Sequence, residues 1–290
     1  MTASLDESDL GRMERALGWR PASWRPAAVG RGTSESAARW VVADGSRRAF
    51  VKIGATPVTA RLFRREHLNY ERIRAPMMPR MLGFFDDGDR PALAIEDLSE
   101  AVWPPPWGPG QVDAVLAALD VLHGVDPPGH LERVAGDGGK DWQAVGEDPF
   151  RWAALGLCSP DWLERCVPVF LAAAAAAPLA GDALVHLDVR SDNVCFRGTE
   201  AILIDWPEAA VATPELDVAF WLPSLASENG SLPEATLRDA PELAAWVAGF
   251  FFSRAALPPI PDAPYVRPLQ LAQSRTALPW AARALGLPPP

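Results

Sequence analysis

Lysine and cysteine are both scarce in this sequence of 290 residues. Of its 27 basic residues, only Lys52 and Lys140 are lysine, so a function that needs a compact ammonium group has two candidates. The three cysteines, Cys158, Cys166 and Cys195, include no CxxC pair. This pattern argues against both a disulfide framework and a thiolate metal site, and a reducing cytoplasm is the expected compartment.

Long apolar runs and an excess of positive charge are also absent. The longest apolar runs cover residues 167–177 and 243–252, short of the roughly 20 residues that a membrane-spanning helix needs. Residues 1–12 lack the basic start and apolar core of a signal peptide. The formal net charge of -10 argues against nucleic acid, because clustered Lys and Arg supply most of the affinity for phosphate backbones. We therefore expect a soluble cytoplasmic protein with neither a membrane nor a nucleic acid partner.

The acidic residues that are present are concentrated in the second part of the chain. Residues 1–98 carry a net charge of plus 3, whereas residues 99–290 carry minus 13. A proline-rich run at 103–109 follows the junction and can form neither a helix interior nor a central strand. These observations predict two domains, 1–98 and 99–290.

The first part has the pattern of an antiparallel sheet with one main helix. A short helix is predicted over residues 6–17. Leu62, Glu66 and Tyr70 recur at a spacing of four residues, so Glu66 shares the apolar face of a second helix. Asp44-Gly45 favours a tight hairpin turn. The predicted strands cover residues 37–42, 49–53, 81–85 and 91–95.

The second part is predicted to be mainly helical. Pro168 indicates a kink or an early end in one of these helices. Lys140 lies in a glycine-rich stretch, 136–141, that has the pattern of a loop. Residues 183–204 are the exception, with two apolar runs around the polar loop 188–193. The predicted helices cover residues 111–123, 160–177, 233–254 and 264–284.

The polar loop contains the motif His-x-Asp-x-x-x-x-Asn, formed by His186, Asp188 and Asn193, and Asp205 follows the next apolar run. Transfer of a phosphoryl group to a hydroxyl needs a carboxylate that orients the hydroxyl and accepts its proton. It also needs oxygen ligands that hold Mg²⁺ on the nucleotide phosphates. Asp188 is the candidate for the first task, and Asn193 and Asp205 are the candidate metal ligands.

These motifs resemble those of the aminoglycoside phosphotransferases and related small-molecule kinases. His186, Asp188 and Asn193 match the catalytic loop of that family, and residues 204–206 match its Ile-Asp-Trp element. The resemblance implies a two-lobed, protein-kinase-like α+β fold with a sheet lobe and a larger, mainly helical lobe. It also implies that ATP, or GTP, and Mg²⁺ are the cofactors.

The same resemblance assigns expected roles in nucleotide binding. Lys52 looks like the strand lysine that pairs with the α and β phosphates, and Glu66 stands where a helix glutamate holds that lysine. The backbone of a hinge would receive the purine, and the amides of a glycine loop, which lacks the third glycine of the kinase pattern, would cover the phosphates. The hinge residues are Glu96, Asp97 and Leu98, and the loop residues are Gly30, Gly32 and Ser34.

Two further residues resemble structural members of the family site, and two positions depart from its pattern. His186 is expected to brace the metal loop by hydrogen bonds, and Asp217 to hold the catalytic loop. Leu187 stands where relatives often have Gly, and could reshape access for the acceptor. Trp206-Pro207 replaces Phe-Gly, so a flip of this loop as in protein kinases is not expected.

The short segment after Asp205 argues against a protein substrate. Only residues 206–213 separate Asp205 from Pro214-Glu215, and they include no Tyr. We therefore expect a small-molecule acceptor. Because acidic clefts concentrate cationic ligands, we predict an aminoglycoside, another basic antibiotic or an amino sugar. The candidate contacts are Glu208, Glu215, Glu228 and Asp262, unless the acid serves solubility alone.

Several alternatives stay open at this stage. The acceptor could be a metabolite such as choline, homoserine, a ketoamine or a sugar. The protein could be a pseudokinase scaffold that binds nucleotide, or a metal-dependent nuclease or phosphatase. Asp188 could cap a turn, Lys52 could be exposed, and Glu66 could pair with a neighbouring Arg. Trp103 and Trp107 could line the substrate site or only cover the connector.

Overall fold

An antiparallel sheet forms the first part of the fold and helices form most of the second. The computed structural model describes residues 5–27, 37–261 and 263–290. Gly30, Gly32, Ser34 and Asp262 lie outside these residues. The predicted α+β class is confirmed.

Five strands form the first sheet in the order β1-β2-β3-β5-β4, and every neighbouring pair is antiparallel. The hairpin between the second and third strands turns at Gly45, where the φ of 59° favours glycine. The predictions of four strands are confirmed, and β1 was not predicted. The strands are β1 (Ser23–Pro26), β2 (Ala38–Asp44), β3 (Arg47–Ile53), β4 (Met81–Phe85) and β5 (Ala92–Ile95).

Two helices accompany this sheet, α1 (Glu7–Leu17) and α2 (Pro57–Arg72). The sequence starts α2 with a capping box between Thr56 and Thr59 and with a proline in the first turn. As the helical spacing predicts, α2 buries Glu66 with its apolar face. Helix α1 lies so close to β4 that a Cβ at Gly83 would stand 1.8 Å from the carbonyl oxygen of Ala16.

Seven helices and two short two-stranded sheets are described in the second part. Strand β6 (Ala183–Val185) pairs with β9 (Ala210–Ala212), and β7 (Val194–Arg197) pairs with β8 (Glu200–Leu203). Of the described helices, none is long and apolar enough to cross a membrane. The helices are α3 (Gln111–His123), α4 (Lys140–Glu147), α5 (Pro149–Ala153), α6 (Pro160–Ala175), α7 (Glu215–Ser227), α8 (Pro241–Ala255) and α9 (Val266–Ala284).

Prolines and glycines explain where the helices differ from the predictions. The single helix predicted over 233–254 was wrong: a 3-10 turn, Pro233–Ala235, precedes α8, which begins at Pro241 because the residue before a proline disfavours helical geometry. Helix α6 continues through Pro168, so of the two predicted outcomes, a kink or an early end, the early end was wrong. The loop predicted over 136–141 is confirmed for 136–139 but was wrong for its last two residues, because Gly139, at a φ of 75°, lets α4 begin at Lys140.

One apolar core joins the sheet to the helices. Tyr70 and Leu93 from the first part pack in the same buried cluster as Leu119, Leu184 and Trp221 from the second. This cluster lies across the predicted boundary at residues 98 and 99, so the described parts share buried surface there. The division into two domains stays a prediction.

Candidate active site

Lys52 lies between two carboxylates that come from distant parts of the chain. Its Nζ lies 2.8 and 2.7 Å from the two carboxylate oxygens of Glu66, on α2, and 2.9 Å from Oδ1 of Asp205, which follows β8. Lys52 and Glu66 are both buried. The fold therefore brings three of the predicted site residues together, and Glu66 pairs with Lys52 rather than with a neighbouring Arg.

The charges of this trio are mutually dependent. Burial alone would lower the pKa of Lys52, but the carboxylates of Asp205 and Glu66 outweigh it and raise that pKa. Burial would raise the pKa of Asp205, yet Lys52 holds it at about 2. Burial raises the pKa of Glu66 above its ordinary value. Lys52 and Asp205 are thus an ion pair at neutral pH, beside a second carboxyl group.

Asp188 lies in the loop that connects β6 with β7, and two side chains hold its carboxylate. Its Oδ1 accepts a hydrogen bond from Arg190 Nε at 3.0 Å, and its Oδ2 accepts one from Asn193 Nδ2 at 2.7 Å. Burial raises the pKa of Asp188 to about 7, against the opposing charge of Arg190. About a third of the side chain, 34%, stays exposed. Asp188 is therefore held in place, accessible, and poised to exchange a proton near neutral pH.

His186 and Asp217 hold this loop from below. Asp217 accepts hydrogen bonds from the backbone N–H groups of His186 and Leu187, the latter at 2.6 Å. The His186 Nδ1 accepts the backbone N–H of Asp188, which leaves Nε2 to donate to the carbonyl oxygen of Ile204 at 3.0 Å. Burial lowers the pKa of His186. Both ring nitrogens are thus engaged in linking the catalytic loop to the segment before Asp205.

Two site residues have left-handed backbone geometry without being glycine. Leu187 has a φ of 62° and Asp205 a φ of 67°. Such a conformation costs a residue with a Cβ of the order of 1 kcal/mol, and strained residues of this kind cluster at functional sites. The strain at Leu187 gives a physical reason for the glycine that resembling sequences often carry there. Here the carboxylate of Asp217, which accepts the backbone N–H groups of His186 and Leu187, holds the strained segment in place.

A cavity of about 430 Å³ lies between the sheet and the catalytic loop. Lys52, Asn193 and Asp205 line one end of it. Trp103 and the predicted hinge line the same cavity, with Glu96, Asp97 and Leu98 all contributing. The carboxylate of Glu96 is already paired with Arg197, and that of Asp97 with Arg48. We call this cavity the nucleotide cleft. The predicted glycine-loop residues lie outside the described chain.

The donor set around Asn193 and Asp205 fits a magnesium ion held together with phosphates. Asn193 gives its amide nitrogen to Asp188, which leaves the amide oxygen as its ligating atom, and Asp205 supplies a carboxylate. In the described chain there is no group of three or more His, Cys, Asp or Glu side chains that could hold a metal ion. Mg²⁺ needs no such group where nucleotide phosphates and water complete its oxygen ligands.

A second cavity, of about 480 Å³, is lined by Asp188. We call it the acceptor cleft. The catalytic loop and Glu208 form one wall, and helices α7, α8 and α9 form the others. Its apolar lining side chains are Val134, Leu187, Val189, Leu216, Phe220, Trp246, Phe250, Phe251, Val266 and Leu269.

The four acidic residues proposed to contact the acceptor are separated in the fold. Glu208 is exposed and lines the acceptor cleft. Glu215 bonds to Thr213 and lines a separate depression. Glu228 accepts hydrogen bonds from Trp107 Nε1, at 2.9 Å, and from Ser191. Asp262 lies outside the described chain, so one of the four is seen at the cleft.

A comparison with protein families decides the broader identity. The model of the phosphotransferase enzyme family matches residues 25–260, which is most of the chain. The chain belongs to this family. No curated protein matches it. The match makes this protein a phosphotransferase with a small-molecule kinase fold, as the motifs predicted.

Solved structures of other phosphotransferases share the fold. A thermostable mutant of aminoglycoside phosphotransferase APH(4)-Ia, in complex with ADP and hygromycin B, aligns with a TM-score of 0.61 at 14% identity over 96% of this chain and 98% of that one. A choline/ethanolamine kinase family protein from Mesorhizobium loti aligns at 0.59 and 16% identity, over 96% and 98%. Spectinomycin phosphotransferase APH(9)-Ia, with ADP and spectinomycin, aligns at 0.55 and 11%, over 87% and 85%.

Two arginines of this phosphotransferase site were not predicted from the sequence. Arg190 bonds to Asp188 and to Asp192 from inside the catalytic motif. Arg39 lines the nucleotide cleft, directly across the sheet from Lys52. The signal for Arg39 was the Asp44-Gly45 turn, because counting back from it sets the register that pairs the two residues. The signal for Arg190 was its position two residues after Asp188.

Proposed function

We propose that this phosphotransferase transfers the γ-phosphoryl group of ATP to a hydroxyl of a small molecule, with Mg²⁺ as the cofactor. The observation that carries the proposal is Lys52, which lies within 3 Å of both Glu66 and Asp205 although Asp205 is 153 positions away. A buried ammonium beside a candidate metal ligand is the arrangement that phosphoryl transfer uses to hold phosphates.

In the proposed step, Asp188 orients the acceptor hydroxyl and takes its proton. The hydroxyl oxygen forms a bond to the γ-phosphorus, and the bond from that phosphorus to the bridging oxygen breaks, leaving its electron pair on ADP. Lys52 holds the phosphates and Glu66 fixes its position. Asn193 and Asp205 would hold Mg²⁺, which supplies positive charge to the phosphates. Arg190 keeps part of Asp188 ionised by lowering its pKa.

The compounds bound in solved relatives suggest the class of the acceptor, and the carboxylates of the acceptor cleft suggest where an amino group of it would bind. The APH(4)-Ia and APH(9)-Ia structures contain hygromycin B and spectinomycin. In the described lining of the acceptor cleft, Asp188 and Glu208 are the carboxylates, and Glu208 is the one that could pair with an amino group of the acceptor. We therefore propose that the acceptor is an alcohol, and that any amino group it carries lies near Glu208. A basic antibiotic, inactivated to give resistance, fits this description.

A metabolite kinase is the second candidate, and the fold shared with the choline/ethanolamine kinase family protein favours it. Growth in graded antibiotic concentrations, with and without expression, separates the two. Protection by wild type but not by Asp188→Ala supports detoxification. Equal growth in every case, together with phosphorylation of a metabolite, supports the second candidate.

The direct test is a panel of alcohols and antibiotics incubated with the protein, ATP and Mg²⁺, followed by mass spectrometry. We expect one class to gain the mass of a phosphoryl group. Asp188→Ala should abolish this gain, whereas Asp182→Ala should not, because the Asp182 carboxylate is 91% exposed. Nucleotide binding without transfer to any acceptor would indicate a pseudokinase. Release of phosphate to water alone would indicate a hydrolase.

A further inference from the structure

Four aromatic side chains form one packed surface on α7 and α8, which we call the aromatic shelf: Phe220, Trp246, Phe250 and Phe251. The ring of Phe220 lies 5.4, 4.9 and 5.5 Å from those of Trp246, Phe250 and Phe251. All four line the acceptor cleft. Edge-to-face contacts at these separations stabilise aromatic clusters, so the shelf is a defined surface.

The polar groups behind the shelf are already satisfied on its far side. The guanidinium of Arg254 stacks on Phe250, with its central carbon 3.8 Å from the ring centre, and forms an ion pair with Asp141 at 2.9 Å. The indole N–H of Trp246 donates to Asp137 at 3.3 Å. Because Arg254, Asp141 and Asp137 do not line the cleft, the surface that Phe220, Trp246 and Phe250 present to it consists of their aromatic rings.

Each of the two amides that line the cleft is engaged at one end. Gln273 is buried and donates from Nε2 to Ser224 at 2.8 Å, and Gln270 accepts through Oε1 a hydrogen bond from Arg267 at 2.8 Å. Apart from these amides, Glu208 and the catalytic-loop residues Asp188 and Arg190, the lining side chains are apolar. A polar ligand would lose its water there without equivalent hydrogen bonds in exchange.

The charged side chains of the cleft also disfavour a ligand with many polar or charged groups. In the described lining, Asp188 and Glu208 are the acidic side chains, and Arg190 is bonded to Asp188. Arg65 lies 3.9 Å from Glu208 on its other side. Several ammonium groups of one ligand would thus meet a single carboxylate, Glu208, that does not serve the reaction. The minus 13 of residues 99–290 is located mostly elsewhere on the protein.

We infer that the acceptor of this phosphotransferase is an alcohol with an apolar, ring-bearing body that packs on the aromatic shelf, and not a polycation. The inference deepens the proposed function and rests on it. The acceptor hydroxyl would lie at Asp188 and form the new bond to phosphorus, its proton passing to Asp188 and ADP leaving. A cavity of about 480 Å³ falls within the roughly 300–1,000 Å³ that encloses small organic ligands.

The test compares butanol, aminobutanol and phenylbutanol, which share a terminal hydroxyl and differ in the body, and includes kanamycin as a polycation with several hydroxyls. The readout is kcat/KM for phosphate transfer from ATP in the presence of Mg²⁺. We expect phenylbutanol to be the best acceptor. In a series from phenylethanol to phenylhexanol, kcat/KM should rise about fourfold per methylene that enters the cleft.

Two variants check that the shelf sets this preference. Phe250→Ala should lower kcat/KM about 10-fold more for phenylbutanol than for aminobutanol, because only phenylbutanol carries a ring that packs on the shelf. Val266→Asp puts a carboxylate at the start of α9, where a negative charge suits a helix, and should lower phenylbutanol turnover while raising that of aminobutanol. Phe150→Ala is the matched control, because Phe150 is 69% exposed outside the cleft. Thermal midpoints of all variants show whether each folds.

The outcomes separate the inference from the proposed function. Phosphate transfer from ATP to any member of the panel tests the proposed function, and binding of phenylbutanol, followed by NMR, tests the cleft. Transfer that prefers kanamycin, or that is equal along the alcohol series, would overturn the inference and leave the proposed function in place. Binding of phenylbutanol that Phe250→Ala weakens, without phosphate transfer to any acceptor, would support the cleft and overturn the proposed function.

Discussion

The two clefts, which lie against different parts of the catalytic loop, are built from opposite kinds of side chain. The nucleotide cleft is lined by the ammonium of Lys52, which pairs with the buried Glu66 and the partly exposed Asp205, whereas the acceptor cleft is walled by the aromatic shelf and aliphatic side chains. A fixed set of charges suits a triphosphate, because its charge is the same in every reaction cycle. An apolar wall selects by shape and surface. In the proposed reaction, the groups that hold the phosphates and those that select the acceptor therefore lie in different clefts.

The largest effect is expected at Asp188. Asp188→Asn keeps the shape of the side chain but removes the proton acceptor, so kcat should fall about 10²- to 10⁴-fold. Asp182→Asn is the control, at an exposed carboxylate of the same segment. The measurement is steady-state transfer to the best alcohol of the panel. Equal rates for the two variants would contradict the role of Asp188.

The next effect belongs to the nucleotide cleft alone. Lys52→Met leaves Glu66 buried without its cation, which should cost about 3–5 kcal/mol of the free energy of unfolding and weaken ATP binding. Lys140→Met is the matched control, since Lys140 is 64% exposed and its pairing with Asp137 is at 3.5 Å. Chemical denaturation and calorimetry with ATP measure both quantities. A Lys52→Met protein as stable as the control would contradict the buried ion pair.

A smaller effect distinguishes acid that supports the fold from acid that faces the acceptor. Glu228→Ala removes the acceptor of Trp107 and Ser191 and should lower the free energy of unfolding by about 1–2 kcal/mol. Its KM for aminobutanol should not change. Glu208→Gln should do the reverse, raising that KM without loss of stability. A KM effect at Glu228 and none at Glu208 would contradict this division, because Glu208 and not Glu228 lines the acceptor cleft.

The smallest effect is a change in pH dependence. Asp188 must be ionised to accept a proton, and its pKa is raised to about 7, so kcat/KM should fall tenfold per unit as the pH falls below that value. Arg190→Met removes the cation that lowers this pKa, and the acidic limb should move to higher pH. The profile of Arg133→Met, an exposed arginine, should match that of the wild type. An unchanged limb in Arg190→Met would contradict the coupling.

Much of the nucleotide cleft and of the catalytic loop could be predicted from the sequence. Their residues lie in short motifs whose spacing carries the chemistry, such as His186, Asp188 and Asn193. Lys52 stood out because lysine is scarce, and Glu66 stood out because it is a polar residue on the apolar face of a predicted helix. The pairing of Lys52 with Asp205 needed the fold, because 153 positions separate them.

The acceptor cleft could not be predicted in the same way. Its shelf joins Phe220 of α7 to Trp246 and Phe250 of α8, and the relative position of two helices is set by tertiary packing, not by local pattern. Helix α7 itself was missed, with Pro223 inside it. Net charge predicted an acidic cleft, but a sum over 192 residues, 99–290, does not say which surface the charges occupy.

The most direct measurement follows radiolabelled γ-phosphate from ATP into the alcohol panel, for the wild-type protein and for Asp188→Asn side by side. We predict that the label appears on an apolar alcohol with the wild type and is lost with the variant. Label found only in inorganic phosphate, or transferred equally by both proteins, would contradict the claim that the two clefts exchange a phosphoryl group at Asp188.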